Sequence, residues 1–205
     1  MRGPGIALAA TLAALTATTS ARAEDDGVYG RLDGDLELRA EAGAGFASGG
    51  PSLAAGVLAL YLGTAGFYAH YTDALGTPGA DVTRSIAAGL HLEPLFLARY
   101  ASDLEHGPAR LDLLIDSFGV EIGSFWSAPR GYGLAAEPGL ELAATLAIPL
   151  LPRASGPFLA FRGALRLRQD DAAAAIDRAG LFSLTLSFRT TVPVHIVDAG
   201  DRLSR

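Results

Sequence analysis

Val28–Phe46 reads VYGRLDGDLELRAEAGAGF, and its two chemistries separate by parity. Leu32, Leu36, Leu38, Ala40, Ala42, Ala44 and Phe46 fall on even positions, whereas Arg31, Asp33, Asp35, Glu37, Arg39 and Glu41 fall on odd ones. Period two sends successive side chains to opposite faces of a β-strand. The run is about twice as long as a typical strand in a soluble domain. Its ionisable face and its unbroken apolar face need a very polar and a very apolar surrounding at once. The wall of a β-barrel standing in a bilayer supplies both.

Upstream, Arg2, the apolar run Ile6–Leu15 and the small-x-small ending Ala21-Arg22-Ala23 follow the order of a secretory signal peptide. This predicts a leader of residues 1–23, cleaved after Ala23. A membrane anchor fits less well, because the run falls short of the ~20 apolar residues with which a helix spans a bilayer. The chain has no cysteine, which excludes disulfides and a lipid-modified cysteine at the cleavage site. Residues 24–205 are then read as one domain. Losing Arg2 and Arg22 leaves 14 basic against 22 acidic residues, a formal charge of −8, which argues against a nucleic-acid partner.

Turn-forming clusters divide the mature chain into eight strand segments, spread over roughly 28–197 and followed by a short C-terminal tail. After the first strand and the turn Ser48-Gly49-Gly50-Pro51, Leu53–Leu62 and Ala65–Asp73 form a hairpin about Gly63. A loop over Ala74–Asp81 leads into a fourth strand, Val82 to about Tyr100. Residues 108–118 fit two descriptions. Leu111, Leu114, Ile115 and Phe118 behind Pro108 have helical spacing, while Phe118, Val120 and Ile122 return to period two. Leu134–Leu150 and Phe158–Arg168 are the sixth and seventh segments. Beyond a loop over Gln169–Arg178, Phe182–Phe188 begins an eighth that can continue past Pro193 to Ile196.

Alternation alone does not say which face is inside. The polar face mixes small or uncharged residues (Gly66, Tyr68, His70 and Thr72 on the third strand; Ser183, Thr185 and Ser187 on the eighth) with charges that nearly cancel. Arg31, Arg39, Arg99, Arg162, Arg166, Arg168 and Arg189 stand against Asp33, Asp35, Glu37, Glu41, Glu93, Glu121, Glu137 and Glu141. That suits a cramped barrel interior better than a solvated surface. If the sixth and seventh strands close with Leu150 near Pro157, Glu141 falls opposite Arg166. Barrel closure then brings Arg189 beside the acidic side of the first strand, where opposite charges attract. The predicted lumen network comprises Arg31, Asp33, Asp35, Glu37, Arg39, Glu41, Glu93, Glu137, Glu141, Arg162, Arg166, Arg168 and Arg189, joined as Arg–carboxylate pairs. Exposed cross-strand pairs, each worth under ~1 kcal/mol, are the alternative reading. Tyr29, Phe46, Tyr61, Phe96, Tyr100, Phe125, Trp126, Tyr132, Phe158 and Phe182 lie toward strand ends, where aromatic girdles sit.

The leader, the eight alternating segments, the polar inner face and a last strand ending near Phe188 together resemble the small eight-stranded outer-membrane β-barrel proteins of Gram-negative bacteria. The resemblance covers nearly all of Val28–Ile196. It implies an all-β fold, a single antiparallel up-and-down transmembrane barrel, with outer-membrane lipid and the outer-membrane assembly machinery as partners. These proteins commonly finish on an aromatic residue that the machinery recognises, whereas 17 residues follow Phe188 here.

His70, His91, His106 and His195 raise a lipid A deacylase or acyltransferase, since some barrels of this kind are such enzymes. Ser85, His91 and Glu93 share a face, but Ser85 and His91 are six residues apart on one strand, roughly 20 Å, too far for a nucleophile and its base. No spacing aims two ligands at one metal ion, and Gly43–Ser48 lacks the third glycine of a dinucleotide loop. No catalytic, cofactor or metal residue is assigned. The leading reading is a non-enzymatic barrel with a charge-filled lumen in a structural or surface-interaction role. A soluble periplasmic lipocalin-like barrel holding a small apolar ligand and a lipid A-modifying enzyme are the alternatives.

Overall fold

The computed structural model describes residues 29–47, 50–75, 82–129, 132–135, 137–170 and 175–194. The leader with Ala21 and Ala23, and the tail beyond Val194 with His195, lie outside them. Eight strands form one closed antiparallel barrel in sequence order. They are β1 (Leu36–Ala47), β2 (Gly50–Tyr61), β3 (Ala65–Asp73), β4 (Val82–Leu92), β5 (Gly119–Pro129), β6 (Gly139–Pro149), β7 (Gly156–Asp170) and β8 (Ala175–Val192). Closure runs through β1 and β8, from Leu36 opposite Val192 to Ala47 opposite Leu181, so no edge is left unpaired.

Two short helices, α1 (Pro94–Ala101) and α2 (Ala109–Asp116), fill the connection between β4 and β5. They leave eight strands in the barrel but shorten the fourth, which ends at Leu92 rather than near Tyr100. Pro94 has no N–H to give a ladder and occupies the first turn of α1. Residues 108–118 take the helix-then-strand form, with α2 leading into β5.

Other boundaries move for local reasons. β1 starts at Leu36, because Tyr29 (φ 55°) and Gly30 (φ 79°) leave the extended region and residues 31–35 form turns and bends. β6 starts at Gly139. Most of the predicted loop over Gln169–Arg178 is ladder instead, since pairing between β7 and β8 continues through Arg168 opposite Asp177 to Asp170 opposite Ala175. The last strand stops at Val192, one residue before Pro193, which has no N–H to continue the ladder.

The wall is apolar outside and polar inside. Phe67 (69 % exposed), Val57 (56 %), Leu90 (54 %) and Ile122 (53 %) project outward with Leu38, Leu142, Leu165 and Leu184. Their neighbours in sequence, such as Glu37, His91, Glu121, Glu141 and Arg166, are buried. Leu58, Leu60, Tyr68, Ala87 and Phe125 form a small buried apolar cluster inside the barrel, and Phe158 is buried apart from it. Most of the interior is therefore filled by charge and hydroxyl, and its stability rests on how completely those groups are paired. Among the described residues no helix is long and apolar enough to cross a membrane, a fact that does not bear on strands.

Candidate functional site: the charged lumen and its helical cap

Parity delivers the inner side chains and register decides which of them meet. Glu141 on β6 stands opposite Arg166 on β7, the pairing expected from a hairpin closed at Leu150 and Pro157. Arg166 Nε donates to Glu141 Oε2 at 2.6 Å, Arg162 Nη2 donates to Oε1, and the Tyr68 hydroxyl adds a third bond at 3.3 Å. Arg162 also donates through Nε to Glu121 Oε2 at 2.7 Å. Each carboxylate thus serves more than one partner, which is what a fully buried charge requires.

Glu121 is the hub. Its Oε1 lies 3.0 Å from His91 Nδ1 and 3.4 Å from His70 Nε2, and His70 Nδ1 lies 3.1 Å from Glu41 Oε1. His91 Nε2 is 3.6 Å from Glu93 Oε1. Carboxylates and imidazoles thereby alternate across the lumen from Glu93 through His91, Glu121 and His70 to Glu41, where Thr185 Oγ1 donates at 3.3 Å. Gly56 makes this chain possible, because a Cβ there would stand 2.4 Å from His70 Nδ1 and 2.7 Å from Glu41 Oε1.

Toward the helices, Glu93 accepts from Arg39 Nη1 at 2.6 Å and from Arg31 Nη2, and Arg39 Nε donates to Glu37 Oε1 at 2.6 Å. Arg31 reaches inward from the segment before β1. Its guanidinium lies 3.9 Å from the Phe96 ring centroid of α1 and donates to the carbonyl of Gly63, whose positive φ (59°) shapes the turn between β2 and β3. Cap and barrel are joined at this point.

The cap has its own ion cluster. Arg99 on α1 donates to Asp112 and, at 2.6 Å, to Asp116 Oδ1 on α2. The Tyr29 hydroxyl donates to Asp112 Oδ2 at 2.8 Å. Burial opposes charge on Asp112, but the Tyr29 and Arg99 bonds outweigh it and hold the carboxyl below its usual range. Burial, with the hydrogen bond to the Asp112 carboxylate, raises the Tyr29 phenol to about 12. Glu105 is pushed up to about 7 by burial and by its hydrogen bond with the Asp116 carboxyl.

Of the predicted network, Arg31, Glu37, Arg39, Glu93, Glu141, Arg162, Arg166 and Arg189 are buried, and Glu41 is nearly so. Asp33 is exposed, because the turns before β1 carry it off the strand parity, and Asp35 is half-buried there. Glu137 is exposed ahead of β6 and takes part only through its carbonyl, which accepts from Arg168 Nη2 at 3.4 Å. Arg168 is half-buried at the barrel mouth. Closure places Arg189 directly opposite Arg39 rather than an acid; it reaches Glu37 Oε1 only at 4.0 Å and stacks 3.9 Å from the Phe158 ring centroid. Arg99 belongs to the cap. Phe96, Phe125 and Phe158 leave the predicted girdle and are buried inside, whereas Phe46 and Tyr61 are exposed at strand ends and Phe182 is exposed within β8, opposite Phe46.

His70 and His91 are inner links, whereas His106 is exposed between the helices; parity groups His70 with Gly66, Tyr68 and Thr72 on β3, and His91 with Ser85 and Gly89 on β4. Ser85 Oγ bonds Thr72 Oγ1 at 2.5 Å and accepts from Arg166 Nη1 at 2.7 Å, so it faces no imidazole. Among the described residues no group of three or more His, Asp or Glu is placed to hold a metal ion. Neither a protein-family model nor a curated protein sequence matches this chain.

Proposed function

We propose that the chain is a membrane-spanning β-barrel of the Gram-negative outer membrane, exported with cleavage after Ala23 and serving a structural or surface-interaction role without catalysis. The observation that carries this reading is the inverted wall, with Phe67, Val57, Leu90 and Ile122 outward and the Arg–Glu–His network inward. Water around such a wall would leave a continuous apolar belt exposed, far beyond the few hundred Å² a soluble protein tolerates. Each strand has 9 or more residues, matching the ~9–11 a tilted strand needs to cross the hydrocarbon. In this setting lipid covers the belt, and the assembly machinery is the partner that closes β1 against β8.

The soluble lipocalin-like alternative needs an apolar hollow. The central void, bounded by Arg39, His70, Glu121 and Arg189, is about 20 Å³, room for roughly one water molecule. For the enzyme reading, both buried imidazoles are committed to carboxylates.

Cell fractionation tests the proposal. The protein is expected in the outer membrane, released only by detergent, with a mature N-terminus at Glu24 by intact mass. Recovery from the soluble periplasm without detergent would overturn it, and lipid A modification that depends on His70 or His91 would overturn its non-enzymatic part.

A further inference from the structure

The barrel end away from the helices is not filled. A cavity of about 190 Å³ opens there, lined by Ser52, Ser85, Ser127, Arg166, Arg168 and Phe125 among others. Arg166 is 8 % exposed, and although Nε and Nη1 are bonded to Glu141 and Ser85, its Nη2 has no hydrogen-bond partner. Ser52 Oγ and Arg168 Nε also lack one among the described residues. Of the other orphaned guanidinium nitrogens among the described residues, those of Arg39 and Arg189 border the 20 Å³ void, and Arg31 Nε lies against the cap. At the mouth, among the described residues, unsatisfied donors meet ligand-sized space.

Open donors at this end favour an anion. Glu141 is shared between Arg162 and Arg166, and Arg162 also pairs with Glu121, so Arg166 depends on Glu141 while its Nη2 stays open. Asp73 is already engaged by Arg84 Nε at 3.3 Å, the Tyr71 hydroxyl at 2.8 Å and the Leu75 N–H at 2.8 Å. Asp177 stands opposite Arg168 in the ladder. The Phe125 ring lies 5.0 Å from the Arg166 guanidinium and 5.4 Å from that of Arg168, bringing both cations to one surface. Guanidinium pairs flanked by hydroxyls match the oxygens of carboxylate and phosphate. The volume falls below the ~300 Å³ of a pocket for a whole drug-sized molecule, so it admits a small anion or a head group.

We infer that this mouth, formed by Arg166, Arg168, Ser52, Ser85 and Ser127, is a binding site for a small oxyanion, a carboxylate or phosphate group. An amphiphile is one source of such a group, because Ala47, Gly180 and Leu181 line both the cavity and an apolar dent in the outer wall beside Phe46, Leu165 and Phe182.

Titration of the folded, full-length mature protein in neutral detergent tests this, following arginine Nε–Hε resonances and heat. The probes are inorganic phosphate, acetate and dihexanoyl phosphatidate, each in buffer free of the others. Saturable one-site binding that shifts the Arg166 or Arg168 resonance is expected for at least one probe, weakened about tenfold or more in Arg168→Gln and in Ser52→Val, since bonds to a charged group are lost. Binding of phosphate or acetate identifies a free anion as sufficient; binding of phosphatidate alone identifies a lipid head group. No saturable binding by the wild type, or equal binding in both variants, would overturn the inference.

Discussion

Glu141 and Leu142 are adjacent in sequence and lie on opposite sides of the wall, the first fully buried and the second 39 % exposed. Replacing Glu141 by Leu removes the acceptor of Arg162, Arg166 and Tyr68 together. Arg162 keeps Glu121, but Arg166 is left with Ser85 alone. Stranding a buried charge in this way costs ~3–5 kcal/mol. Glu141→Gln keeps an oxygen acceptor and should cost less, about 1–3 kcal/mol. Adding Arg166→Met to Glu141→Leu should recover part of the loss, since the stranded cation is gone. For Leu142→Arg the outcome depends on what bathes the wall. Lipid makes it cost ~2–4 kcal/mol near the midplane, whereas water makes it nearly neutral. Urea titration of protein folded in micelles or vesicles measures all four. A Glu141→Leu variant as stable as wild type would refute the argument that this network holds the barrel through its pairing. A Leu142→Arg variant that is fully stable, and soluble without detergent, would refute the lipid-facing wall.

Gly56→Val should destabilise the barrel by roughly 1–3 kcal/mol, the usual cost of overpacking, because the new side chain drives His70 from Glu41; an unchanged denaturation midpoint would count against the imidazole–carboxylate chain. The cap should lose stability as pH rises. Glu105 has a folded pKa of about 7 against 4.5 unfolded, so its contribution is fully present below 4.5 and is lost as pH climbs through 7. Amide exchange in α1 and α2, corrected for intrinsic rates, should show protection falling across that window and flattening in Glu105→Gln; the same slope in that variant would assign it elsewhere. Planar-bilayer recordings of the pure protein should show no stable large conductance, as an eight-stranded barrel is just filled by its side chains, and large steady openings would contradict a filled lumen.

The alternation in Glu37–Phe46 and in Leu140–Ile148 contains the facing of β1 and β6, because side-chain direction along a strand depends only on parity. Hairpin closure extends this to pairing, and Glu141 opposite Arg166 follows from a short turn between their strands. Asp33 and Glu137 show where that reasoning stops: parity holds only while the chain stays extended, and Gly30 and the segment before Gly139 end it. The helices were half legible, with Pro108 and the spacing of Leu111, Leu114 and Ile115 marking α2. Pro94 and Phe96 were absorbed into an apolar run that also fits a strand, since periodicity does not separate the two over so few residues.

By itself, then, the sequence determined an eight-stranded alternation with one charged and one apolar face, since both follow from local chemistry. Only the tertiary structure decided that Glu121 joins His70, His91 and Arg162, that Arg189 meets Arg39 on closure, and that one end is capped while the other keeps a cavity. Those contacts join residues distant in sequence, and they depend on the stagger and closure of the whole barrel, which no single strand encodes.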